Sequence, residues 1–197
     1  MSTAIEKHLK KCILPDLERG RANYDKAHTV AVVYWLKEIL NHHTYNGNSL
    51  VLLIAAYAHD WGYADLFIKS NGVVQLNDVL AAKKQHMIVG AEKLQALLQG
   101  DVFSALSDEE KKRCVHLVSV HDDLDNLTDA DELLLMEADT LGMLDVERVK
   151  PTFDIDSNTR FLNKVQTKRI PKFMTDFGKK MVAKLVYDRQ EYYKLHY

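Results

Sequence analysis

The chain has 197 residues, 47% of them hydrophobic and 27% charged, with a net charge of -2 and a pI near 6.5. That length buries the core of one domain, the composition excludes general disorder, and the charge gives no basic surface for nucleic acid or anionic membranes. Two cysteines without a CxxC neighbour, Cys12 and Cys114, exclude a disulfide framework and a thiolate zinc site. No signal-peptide pattern follows the N-terminal charges, and the apolar run from Leu50 to Ala58 is too short to span a bilayer. The expectation is a cytoplasmic protein without membrane or nucleic-acid partners.

Three prolines and eight glycines fall between segments of helical periodicity, which predicts an all-α fold. A first helix runs from about Thr3 to Ile13 and stops before Pro15. A second covers about Asp25 to Asn41, with Ala31, Val32, Trp35, Leu36 and Ile39 on one face. After the Asn46-Gly47-Asn48 turn, Ser49 caps an apolar helix that ends near Asp60, with Gly62 as its stop. The stretch from Gly62 to Leu76 reads as a loop with one short turn, and Val73-Val74 is the one place for a short extended piece. Asn77 begins a long helix to about Gln99. Ser107 and Glu110 form a capping box for the next, which ends near His121. Thr128 and Asp131 start a helix reaching about Val149, before Pro151. The tail holds two more, about Asn158 to Arg169 and Thr175 to His196.

Ionisable residues stand out on the inner faces of these helices. His28 shares a face with Ala31, Val32 and Trp35, so it points inward, where both ring nitrogens need partners. His59-Asp60 closes the most apolar helix in the chain, and a carboxylate there is costly without a cation. Asp139 lies one turn from Leu135 and Met136 and one turn from Gly142 and Met143. It is buried, and its own face carries no Lys or Arg; a capped or protonated Asp is the alternative to a bound cation. His86 sits mid-helix one turn before Gly90, whose lack of a side chain points to close packing. His121 ends the following helix. Mixed imidazole and carboxylate donors suit Mn, Fe, Co, Ni, Zn or Mg, as one ion or two.

In this order, His28, His59-Asp60 and Asp139 resemble the HD superfamily of metal-dependent phosphohydrolases. The run AAYAHDWGY is similar to that family's doublet segment, and HMIVGAEKL to the His-xxx-Gly helix of its two-metal members. The resemblance covers about Tyr24 to Arg148. It implies a compact HD-type helical bundle with a core at about residues 24-150 and a helical extension at about 151-197. It implies metal ligands His28, His59, Asp60, His86, His121 and Asp139, with Asp60 bridging two ions, His86 and His121 serving the second and Asp139 the first; in the family's four-ligand members a single ion binds, and His86 and His121 then face the substrate phosphate. No GYP motif follows His121, which disfavours the cyclic-dinucleotide branch, and Tyr63 stands where a Lys often follows the doublet.

The expected activity is hydrolysis of a phosphate ester in a nucleotide or other small phosphorylated metabolite. A di-iron oxygenase and a non-catalytic metal- or ligand-binding sensor module are the alternatives. Asp60 and Asp65 are the expected catalytic carboxylates, although Asp65 reads equally well as a solvated loop residue. Lys83, one turn before His86, and Arg148 and Lys150, near the end of the Asp139 helix, are the candidate phosphate-binding cations, and each alone reads better as a surface charge. The aromatic C-terminal helix packs on the core, or else pairs two subunits in a homodimer.

Overall fold

The structure, a computed structural model, describes residues 3-21, 24-66 and 76-196. Among these there is no strand, and the fold is the expected all-α bundle. Its axis is α3 (Ser49–Ala58), in which every residue from Val51 to Ala58 is buried. A helix that is apolar all round demands neighbours on every side. It receives them from α1 (Thr3–Leu17), α2 (Asp25–His42), α5 (Leu76–Leu97), α6 (Asp108–Val120) and α7 (Ala130–Leu144), while the one-turn α4 (Tyr63–Leu66) packs on α5 and α1. The cap of α3 is Asn48, one residue earlier than expected, whose side chain accepts the Leu50 N–H at 2.9 Å. Ser107 and Glu110 form the expected capping box of α6, while α7 is started by Asp129 with Glu132.

Helix α1 continues past Pro15 to Leu17. Ile13 and Leu17 are both completely buried and fix the last turn. Pro15 is exposed, and the residue whose carbonyl loses its intrahelical donor, Lys11, is exposed too, so water can serve that oxygen.

Helices α2 and α7 form the closest pair. A Cβ on Gly142 would lie 2.7 Å from Val32 Cγ2 and 3.1 Å from the Val32 nitrogen, so only glycine lets these backbones approach. This contact brings His28 and Asp139 to opposite sides of one small volume. Helix α7 ends at Leu144 rather than near Val149. Asp145 leaves the helical conformation, and its buried carboxylate accepts the Trp35 indole N–H at 3.0 Å and the backbone N–H groups of Glu147 and Arg148.

The tail closes over α7. Helix α8 (Ile155–Lys164) runs into a turn of π-helix (Val165–Arg169), then a short 3-10 turn (Ile170–Lys172) and α9 (Asp176–His196). Buried Glu137 on α7 accepts from the Thr175 N–H and hydroxyl at 3.0 and 2.6 Å and so docks the start of α9. Tyr193 is buried and donates to the Phe153 carbonyl at 2.7 Å, as core packing of the C-terminal helix requires, whereas Tyr187 is exposed. Both cysteines are free. No described helix is long and apolar enough to cross a membrane.

Candidate metal centre

Five elements deliver the six expected ligands to one place. His28 comes from the first turns of α2 and His86 from the middle of α5. His59 and Asp60 come from the end of α3, His121 from the end of α6, and Asp139 from the centre of α7. All six are between 0 and 6% exposed.

Their donor atoms form two overlapping sets. In the first, His28 Nε2 lies 3.0 Å from Asp139 Oδ1 and 3.2 Å from His59 Nε2, and Asp60 Oδ2 lies 3.6 Å from both imidazole nitrogens. In the second, His86 Nε2 lies 3.2 Å from His121 Nε2, and Asp60 Oδ1 lies 3.5 and 3.6 Å from these two. A cation with bonds of about 2.1 Å holds neighbouring ligand atoms roughly 3.0-3.4 Å apart. Both sets have about that spacing, and the two oxygens of Asp60 are divided between them.

The proton positions favour a cation as well. His59 Nδ1 and His121 Nδ1 each lie 2.9 Å from a backbone carbonyl, of Ala56 and Val118. A carbonyl only accepts, so both rings carry a proton on Nδ1 and, in the neutral form that a metal requires, turn an Nε2 lone pair toward the centre. Each lone pair meets another imidazole nitrogen and carboxylate oxygens. His28 Nδ1 and His86 Nδ1 are buried without hydrogen-bond partners. Converging lone pairs in a buried site repel one another unless a positive charge sits between them. These buried His and Asp groups therefore suit a metal ion.

Around the ligands lies a shell that sequence reasoning did not find. Arg169, at the end of the π turn, donates to Asp139 Oδ2 at 2.8 Å, to Thr140 Oγ1 at 3.0 Å and to Asp122 Oδ1 at 2.7 Å. The cation missing from the face of Asp139 thus arrives from the tail. Burial alone would raise the Asp139 pKa, but Arg169 and the imidazoles of His28 and His59 hold it far below the usual carboxylate range. Asp60 is likewise held well below that range, against the burial penalty, by His59, His121 and Arg21. Arg21 reaches Asp60 Oδ2 at 3.0 Å and also pairs with buried Asp25. Its guanidinium lies 4.6 Å from the Tyr24 ring and 4.3 Å from the Tyr63 ring. These rings in turn stack on His28 and His86, with centroids 5.4 and 4.0 Å apart. Tyr63 therefore orients a ligand at the place where the resembled family often has a Lys.

Burial, and then the neighbouring His121, push the His86 pKa down to about 4. The sign follows from linkage. The unfolded imidazole takes up its proton near pH 6.5 and the folded one only near 4, so acid favours the unfolded state across that interval. The metal-free protein is expected to lose stability as pH falls from 6.5 to 4, and His86→Leu should flatten that slope. Melting temperatures measured at half-unit pH steps check this; equal slopes for the two proteins would refute it.

Gly62 and Gly90 explain how the doublet meets α5. A Cβ on Gly62 would stand 2.0 Å from the His86 carbonyl oxygen and 2.8 Å from the Gly90 nitrogen. A Cβ on Gly90 would stand 3.3 Å from the Gly62 nitrogen. Two backbones touch here, so Gly62 serves a crossing and not the left-handed helix stop read from the sequence. Gly62→Ala is expected to push α5 outward with His86. It should weaken metal binding by roughly ten- to a hundredfold, the range of orienting-residue effects, as a metal titration of the folded variant would show.

Lys83 lies at the site, 3.2 Å from Asp122. Arg148 does not. It pairs with Asp145 at 2.8 Å, stacks on Tyr34 at 3.7 Å from the ring centroid, and lies outside the cavity beside the ligands. The early end of α7 is the reason, since the chain turns at Asp145 and carries Arg148 to another face. The side chain of Asp65 and the Val73-Val74 segment lie outside the described residues.

No family model, curated protein or solved structure matches this chain. The all-helical fold with its inward His and Asp groups is compatible with an HD fold.

Proposed function

We propose that the protein is a divalent-metal-dependent phosphohydrolase of the HD kind, acting on a phosphate ester of a nucleotide or other small metabolite through a paired metal centre. The observation that carries this reading is Asp60, whose two oxygens face two separate imidazole sets. Two divalent ions so held would supply a water of lowered pKa and would withdraw charge from the phosphoryl oxygens.

The chain's own residues prepare the place where such a substrate sits. A cavity of about 210 Å³ opens beside the ligands, and His28, Asp60, His121 and Asp139 all line it. Six of its lining residues are Arg or Lys and three are Asp. Two of those three carboxylates are metal ligands in this reading, which leaves a strongly positive chamber. An anionic substrate fits such a chamber, and this favours phosphoryl chemistry over the oxygenase alternative. Arg21 and Arg169 hold Asp60 and Asp139 ionised and in place. Lys83 and Asp122 line the same cavity, where Lys83 meets an incoming phosphate.

The test is turnover. Protein loaded with manganese or cobalt is assayed against a panel of nucleotides and small phosphate monoesters and diesters. Release of phosphate or alcohol that vanishes on chelation and returns with metal is expected. Metal-loaded protein that turns over no member of the panel but consumes oxygen with iron would move the reading to the oxygenase.

A further inference from the structure

Arg189 on α9 belongs to the segment that the family resemblance does not reach. It is 3% exposed and lines the cavity. Its Nε donates to Asn158 Oδ1 at 2.7 Å and one terminal nitrogen donates to the Met143 carbonyl at 2.8 Å. Both acceptors are neutral, and among the described residues no carboxylate pairs with it. A buried guanidinium without a counter-charge is as costly as a buried carboxylate without one.

Two further cations stand nearby on α8. Arg160 and Lys164 are four residues apart, hence on one helix face, and both line the same cavity. Arg160 touches the Ser157 hydroxyl at 3.3 Å, and neither cation forms a close ion pair among the described residues, Asp154 and Asp122 acting on them only from farther away. Phe161, between them in sequence, lies 4.7 Å from the Arg189 guanidinium carbon.

Arg189 is held one helical turn beyond Asp139, and Lys164, within reach of Asp122, Lys83 and Arg169, stands between it and the metal ligands. Met143, whose carbonyl holds Arg189, follows Asp139 by four residues, or about 6 Å along α7. Met143, Phe153, Phe161 and Leu80 supply the cavity's apolar wall.

We propose that the cavity takes a ligand with two anionic groups: a phosphoryl group at the His/Asp centre and a second anion held by Arg189 with Arg160 and Lys164, joined by an apolar or ring-containing spacer. This rests on the reading of the His/Asp centre as the metal-bound phosphoryl site. The second anion supplies the counter-charge that Arg189 lacks, as a metal does for the converging ligands. Substrates with a single phosphate and a neutral remainder leave Arg189 uncompensated and bind more weakly.

Phenylphosphonate and 4-phosphonobenzoate test this, since they differ by one carboxylate across a ring and neither is hydrolysed. Titration calorimetry with the manganese-loaded full chain should show 4-phosphonobenzoate at least about tenfold tighter. In Arg189→Met, and separately in the double variant Arg160→Gln/Lys164→Gln, the advantage should shrink to about twofold or less, with 4-phosphonobenzoate losing more affinity than phenylphosphonate. The double variant alters one exposed and one half-buried position, so it reports even if Arg189→Met fails to fold. Equal affinity of the two ligands for the wild type, or an advantage that survives the double variant, would overturn the proposal. Binding of 4-phosphonobenzoate that needs Arg189 but not manganese would uphold the second anion site and remove the metal-bound phosphoryl site beneath it.

Discussion

Asp60→Ala is expected to empty both metal positions at once. Each oxygen of Asp60 faces a different imidazole set, so no other single ligand has this reach. The wild type should carry two equivalents of metal and Asp60→Ala less than half of one. Asp139→Ala and His86→Ala should each carry about one, because each belongs to a single set. Turnover in Asp60→Ala should fall by roughly three orders of magnitude or more, since activation of water and neutralisation of the phosphoryl group are lost together. The variant should still fold. Arg21 keeps Asp25 as its partner, and the loss of one buried carboxylate relieves crowding among acids as well as removing a ligand. Elemental analysis of the purified variants, with circular dichroism as the folding control, reads the result. One full equivalent retained by Asp60→Ala would show that the carboxylate serves a single ion.

Arg169→Met should be the most destabilising change near the site that touches no ligand donor atom. Arg169 is 4% exposed, and its guanidinium satisfies Asp139, Thr140 and Asp122 together. Removing one partner of a buried ion pair costs about 3-5 kcal/mol, because the other charge stays behind. For a chain of this size that is a fall in Tm of roughly 10 °C. Two features separate this effect from lost packing. Asp139 is held below the usual carboxylate range, so its contribution is present above the unfolded carboxylate value near pH 4 and is lost as pH falls. Arg169→Met removes that contribution, and the gap in stability between wild type and variant should narrow in acid. Manganese also compensates the stranded carboxylates, so it should raise the Tm of the variant more than that of the wild type. A variant that melts within about 2 °C of wild type at neutral pH would contradict the charge argument.

Much of this site was legible in the sequence because its ligands sit where helical spacing forces them inward. His28 follows from Ala31, Val32 and Trp35, and Asp139 from Leu135, Met136 and Gly142. The doublet follows from the uniformly apolar helix it ends. The residues that went unread lie where periodicity is weak. Arg21 precedes α2 in a short connecting stretch. Arg169 ends a π turn, where the spacing of an α-helix no longer applies and the five-residue hydrogen bond from Ile170 to Val165 resets the face. The absence of a cation from the face of Asp139 was a usable signal that one had to come from elsewhere in the chain. Arg148 was misplaced for a related reason. Its position assumed that α7 continues to Val149, whereas the indole N–H of Trp35, 110 residues earlier, captures the Asp145 carboxylate. Local sequence carries no trace of that contact.

The paired centre is tested most directly by anomalous scattering from crystals grown with manganese. Two peaks are expected, roughly 3.5-4 Å apart, one bound by His28, His59 and Asp139 and the other by His86 and His121, with an oxygen of Asp60 on each. Crystals in which those imidazoles and carboxylates bond only to one another and to water, with no anomalous peak among them, would contradict it.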